Sequence, residues 1–139
     1  MRPSLLPLLL LMACSSATSD FAALRPGGFH YSAASATGQP LLTGRLQLDF
    51  ADDSSFTGSW KIDWLPGADT TAPVGPQVGS GVLIGQRRGT TLLIQLNPTN
   101  ADHNVALQAV PRGGGYSGTW EWSTFSGPRS SGRFVAAPE

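Results

Sequence analysis

Alternation with a period of two residues runs through this chain from Phe29 onward, and no segment there carries the three-to-four-residue spacing of an amphipathic helix. Such a pattern admits a β architecture in which one face of each strand is buried. Leu42, Gly44, Leu46, Leu48 and Phe50 fall on one face of the clearest strand, and Thr43, Arg45, Gln47 and Asp49 on the other. After a turn at Ala51–Ser54, where short polar side chains bond back to the backbone, Gly58, Trp60, Ile62 and Trp64 alternate with Thr57, Ser59, Lys61 and Asp63. The aromatic face must point to a core. Leu65-Pro66-Gly67 ends that strand, and a Pro/Gly-rich loop runs to Pro76. Further strands are predicted over Val78–Gln86, Thr90–Asn97, His103–Val110, Tyr116–Thr124 and Ser131–Ala137, with Phe29–Ser35 at the start. The breaks between them are Arg87-Arg88-Gly89, Asn97-Pro98-Thr99-Asn100, Arg112-Gly113-Gly114-Gly115 and Ser126-Gly127-Pro128. About eight strands with short connections make the simplest topology an antiparallel meander.

An internal repeat organises the strands. Phe56-Thr57-Gly58-Ser59-Trp60 recurs as Tyr116-Ser117-Gly118-Thr119-Trp120, sixty residues later. The same offset sets Leu41–Phe50 on Ala101–Val110 and Phe29–Ala36 on Gly89–Leu96. Gly79-Ser80-Gly81 and Ser130-Ser131-Gly132 open the strand after each motif, displaced by the longer first loop. Two four-stranded halves are therefore read as copies.

Four plus four strands joined by hairpins close most simply as an up-and-down barrel, which removes the exposed edges of an open sheet. A two-sheet sandwich is the alternative. In a barrel of eight, the third and seventh strands stand on opposite walls, so Trp60 and Trp120 are expected to face one another across the lumen. Such an interior is just wide enough to be filled by side chains or to hold one small ligand. The pattern, with Gly-x-Trp present as Gly58-Ser59-Trp60 and Gly118-Thr119-Trp120, resembles calycin-like barrels, the group of lipocalins and avidins. That resemblance implies a small closed barrel and, for many members, binding of a small ligand inside it.

The N-terminal residues set a location. Arg2 and an apolar stretch from Leu5 to Leu11 read as a secretory signal, too short to span a bilayer. Leu11-Met12-Ala13-Cys14 follows directly, and Cys14 is the only cysteine of the chain. In these residues the chain resembles a bacterial lipoprotein precursor. The resemblance implies diacylation of the Cys14 thiol, cleavage just before it, and removal of residues 1–13 as signal peptide. Residues 14–27, with Ser15-Ser16-Ala17-Thr18-Ser19-Asp20 and Arg25-Pro26-Gly27, suit a flexible tether. Residues 28–139 are then the barrel domain. Ser15 after the cysteine resembles the pattern that lets Gram-negative lipoproteins leave the inner membrane, which implies an outer-membrane address in such a cell.

Charge excludes other classes. The chain carries nine basic and nine acidic residues, and loss of Arg2 leaves the exported part close to neutral. Nucleic acid demands a basic stripe to displace counterions, and a polybasic membrane patch is equally unsupported. Membrane attachment therefore falls to acyl chains on Cys14, each buried methylene contributing about 0.8 kcal/mol.

No Gly-x-Ser-x-Gly elbow is present, and His30 and His103 lie in no recognisable catalytic motif. Asp102-His103 follows a turn, where an aspartate makes local backbone bonds. Asp49, Asp52 and Asp53 lack the glycine and terminal glutamate of a calcium loop. Arg87-Arg88 at a hairpin tip reads as a solvated pair. The sequence thus points to a non-enzymatic protein without cofactor or metal. Its one promising constellation is the set Trp60, Trp64, Trp120 and Trp122, all predicted inward with Leu46, Leu48 and Leu107 around them. As a pocket lining they would stack on a flat apolar ligand; as packing they would fill the barrel, with Gly58 and Gly118 leaving space for the rings. The alternative function is a scaffold that docks an envelope protein through the loops Thr70–Pro76 or Asn97–Asp102.

Overall fold

A computed structural model describes residues 25–50, 52 and 54–139. Eight strands follow in chain order: β1 (Gly27–Ser35), β2 (Pro40–Phe50), β3 (Ser55–Trp64), β4 (Gly79–Arg88), β5 (Thr91–Gln95), β6 (His103–Arg112), β7 (Gly115–Thr124) and β8 (Gly127–Pro138). Each pairs antiparallel with the next, and β8 returns to β1, so the sheet closes as the predicted up-and-down barrel rather than a sandwich. Closure leaves no long edge free to pair with another chain. The tight connections have the chemistry their turns require. Gly113 and Gly114, joining β6 to β7, take φ of 57° and 82°, the successive positive values of a hairpin turn that matches strand twist.

The barrel has two unlike ends. The near end carries the start of β1 and the turns β2–β3, β4–β5 and β6–β7. The far end carries the connections β1–β2, β3–β4, β5–β6 and β7–β8. Chain N-terminal to β1 therefore enters at the near end, where Tyr116 grips it: the Arg25 N–H donates to the Tyr116 hydroxyl at 2.9 Å, and that hydroxyl donates to the Arg25 carbonyl at 3.2 Å. Gly27, read from the sequence as the last tether residue, already belongs to β1.

Inward positions alternate along every strand and meet in one core of Phe29, Tyr31, Leu46, Leu48, Phe56, Trp60, Ile62, Leu83, Leu92, Ile94, Val105, Leu107, Trp120 and Phe134 with smaller neighbours. Most of these side chains present almost no surface to a water-sized sphere. A void able to admit a ligand would expose its lining to such a sphere. The lumen is packed solid.

The repeat is real in three dimensions, but its offset needs correction. Leu46 lies opposite Trp60, and Leu107 opposite Trp120. The second strands of the two halves, β2 and β6, therefore correspond at sixty-one residues, not sixty. At sixty, inward Leu46 and Leu48 would fall on outward Ala106 and Gln108, because a slip of one residue turns a strand over. The third strands keep the offset of sixty. The extra residue is taken up between the second and third strands, where Ala51–Ser54 separates β2 from β3 and only Gly113-Gly114 separates β6 from β7.

The glycines of the repeat also act differently from expectation. A Cβ at Gly58 would strike the Gln47 carbonyl, and one at Gly118 the Gln108 carbonyl, so both permit close backbone approach where the sheet coils. Room for the indoles comes from the following strand. Gly81 lies opposite Trp60 and Gly132 opposite Trp120, and a Cβ on either would press into that ring.

Candidate functional site

Trp60 and Trp120 project inward from opposite walls and are 6% and 2% exposed. Each indole N–H reaches a carbonyl in the other half of the molecule. Trp60 Nε1 donates to Leu96 O at 2.8 Å, just past β5, and Trp120 Nε1 donates to Ala34 O at 2.9 Å, on β1. Both donors are satisfied internally. With Leu46, Leu48 and Leu107 fully buried around them, these residues pack the lumen, while Trp60 also borders a concavity on the outer wall over β1–β3 and Trp120 one over β7 and β8. Trp64 and Trp122 face the same way but lie at the far end of their strands, half-buried against the core. Cys14, the signal residues and most of the tether lie outside the described residues.

The loop between β3 and β4 closes the far end. Its Val74 is buried, and Gln77 is the single fully buried polar side chain among the described residues, at 0% exposure. Gln77 spends both ends of its amide: Nε2 donates to Val74 O at 2.8 Å, and Oε1 accepts from the Tyr31 hydroxyl at 3.0 Å. Burial pushes the Tyr31 phenol far above its ordinary value, so it stays a donor. The sequence gives no period by which to see Gln77 enter the core, since it lies outside any strand.

The same loop ties the far-end segments into one surface. Asn97 Nδ2 donates to Pro76 O at 3.2 Å, and Ser130 Oγ donates to Pro73 O. The Trp122 ring lies over Gly75, and its Nε1 reaches His103 Nδ1 at 3.3 Å, with the two rings edge to face. Asn97 and Asn104 lock the β5–β6 loop, since Asn104 Oδ1 accepts from Asn97 N and Asn97 Oδ1 from Val105 N. On this braced platform stand Thr70–Pro73 and Thr99–Asp102, largely exposed. Phe125, at the β7–β8 tip, is 88% exposed. Sequence reading passed over Phe125; its signal was an aromatic placed inside a turn, where no core can receive it. Beside the platform, Ala33, Ala34, Pro40, Leu42, Leu65, Phe134 and Val135 line an open apolar notch of about 300 Å³ at the bulge in β1.

A larger concavity, about 490 Å³, lies on the outer wall over β1, β2 and β3. His30, Thr43, Arg45, Gln47, Ser59, Lys61 and Asp63 line it. Arg45 Nε meets Glu139 Oε1 at 2.8 Å on its rim, with both side chains substantially exposed, so the pair contributes little to stability.

His103 is engaged by Trp122 rather than by a nucleophile, and no group of three or more His, Cys, Asp or Glu among the described residues is arranged to hold a metal ion. Comparison with protein-family profiles gives no match, and comparison with curated proteins gives none either.

Proposed function

We propose that this chain is a non-enzymatic envelope lipoprotein, held at a membrane by acyl chains on Cys14, whose solid barrel is a platform for docking an envelope protein. One observation carries the reading: a nearly naked Phe125 stands on the cross-braced far end, opposite the end at which the N-terminal chain enters. An aromatic side chain left in water by its own fold is the type of residue that anchors protein interfaces. The loops Thr70–Pro76 and Asn97–Asp102 surround it, and an anchor at the near end would direct all three away from the bilayer. A small-ligand carrier of the calycin kind would need lumen space, and packed indoles with satisfied N–H groups leave none.

Two measurements test the two halves of this reading. Mass spectrometry of the exported protein should find a diacylated Cys14 at its N-terminus; a free thiol there removes the lipoprotein. Crosslinking in intact envelopes should yield a stoichiometric adduct that Phe125→Ser abolishes and Val82→Ser, on the wall, does not. An adduct indifferent to Phe125 would refute the far-end docking surface.

A further inference from the structure

The outer concavity holds an arrangement that stability alone does not favour. In the register of the barrel, His30 lies opposite Arg45, and Arg45 lies opposite Lys61. These three side chains form one row across β1, β2 and β3, all exposed and all on the outer face. Directly opposed like charges on neighbouring strands destabilise a sheet, yet Arg45 and Lys61 are set side by side on a barrel with few cations. Hydroxyl, amide and carboxylate groups border the row: Thr43 and the carboxylate of Asp63 form the next pair on one side, Gln47 and Ser59 on the other. The seven side chains converge on the 490 Å³ concavity, within the size range of small-molecule sites.

A carboxylate already reaches this row. The Glu139 side chain occupies the space that Gly28 leaves empty, its Oε1 on Arg45 Nε at 2.8 Å. A Cβ at Gly28 would collide with both the Glu139 carboxylate and the Arg45 guanidinium. Glu139 thus places a carboxylate on this row, and Lys61, opposite Arg45, has no carboxylate within ion-pair distance among the described residues.

We propose that this row is a binding site for a hydroxycarboxylate of the sugar-acid class. Arg45 takes the carboxylate through its guanidinium fork, and Lys61 supplies a second positive charge. Asp63, Gln47, Ser59 and Thr43 accept from or donate to the ring hydroxyls. Glu139 is an internal competitor that a ligand carboxylate displaces. The site lies on the wall, independent of the lumen and of the far-end surface, so it stands or falls apart from the docking reading.

The test is a titration of the full chain, followed by amide shifts, with galacturonate, a short oligogalacturonate, galactose and acetate as probes. Shifts should localise to β1–β3, with galacturonate bound at least tenfold more tightly than galactose or acetate. Arg45→Gln and Lys61→Gln should each weaken binding tenfold or more while leaving the spectrum of the barrel intact. Glu139→Gln should tighten it several-fold, which a merely structural Arg45–Glu139 pair would not do. Oligomer binding tighter than monomer assigns the source as an acidic polysaccharide, and equal binding assigns free sugar acids; both support the site. Equal response to acetate, equal response to galactose, or no response from wild type and Glu139→Gln alike overturns it.

Discussion

At the scale of single residues, the two tryptophans show why a filled interior still needs polar bookkeeping. An indole brings one donor into the core, and a carbonyl left without its partner in a dry interior costs about 1–3 kcal/mol. Trp120→Phe keeps most of the apolar volume but removes the indole donor to Ala34 O. Chemical denaturation should report a loss of about 1–3 kcal/mol with an unchanged m-value; a neutral change would show that the hydrogen bond contributes nothing. Asp52 offers a pH test at the other end of the barrel. Its Oδ1 accepts from Ser54 N and Ser55 N, both at 2.8 Å, and these bonds and the serine hydroxyls lower its carboxyl from an ordinary 3.8 to about 2. A depressed acid stabilises the turn fully above its unfolded value and loses that contribution as pH falls through the folded one. Between pH 4 and 2 the Ser54 and Ser55 amides should therefore shift together with a midpoint near 2, whereas a midpoint near 3.8 would mean that the carboxylate caps nothing.

At the scale of elements, the strands were legible because each has one wet and one dry face, and alternation is the direct imprint of that asymmetry. Leu42 to Phe50 and Gly58 to Trp64 point as their spacing predicts. The candidate site was legible only in part. Trp60 and Trp120 are central as predicted, but whether they line or fill depends on neighbours across the sheet, such as Gly81 and Gly132, and cross-strand register is set by turn length rather than by either strand's pattern. For the same reason the row of His30, Arg45 and Lys61 is invisible until β1, β2 and β3 are laid side by side. The β3–β4 loop has the Pro/Gly-rich composition of connecting chain, yet it buries Val74 and Gln77. Replacing residues 65–78 by the two-residue connection that joins β7 to β8 tests this lid. The shortened protein should lose cover over Trp122 and the Gln77 partner of Tyr31. Its tryptophan emission should move to longer wavelength and its melting temperature fall, and an unchanged spectrum would show that the lid covers nothing.

At the scale of the whole molecule, closure decides what the barrel can do. A core with almost no surface open to water has no place for a guest, so apolar probes at saturating concentration should leave the tryptophan emission unshifted; a saturable shift would reopen the lumen as a binding site. Closure also brings the two ends of the described chain together, since Phe29 on β1 lies opposite Pro138 on β8. Chain ends that are adjacent and exposed tolerate being joined, provided the new break falls where few backbone bonds are lost. A circular permutant in which a short Gly/Ser linker connects Glu139 to Arg25, with new ends between Thr99 and Asn100, keeps every strand pairing. It should fold to the native spectrum, and its stability should fall only by the loosened β5–β6 loop. The same linkage opened between Leu107 and Gln108 cuts β6 within its ladder to both β5 and β7, and should fail to fold. If both permutants fold equally well, the barrel is not the cooperative closed unit described above. If the first fails, something beyond strand pairing and packing is needed to hold β1 against β8.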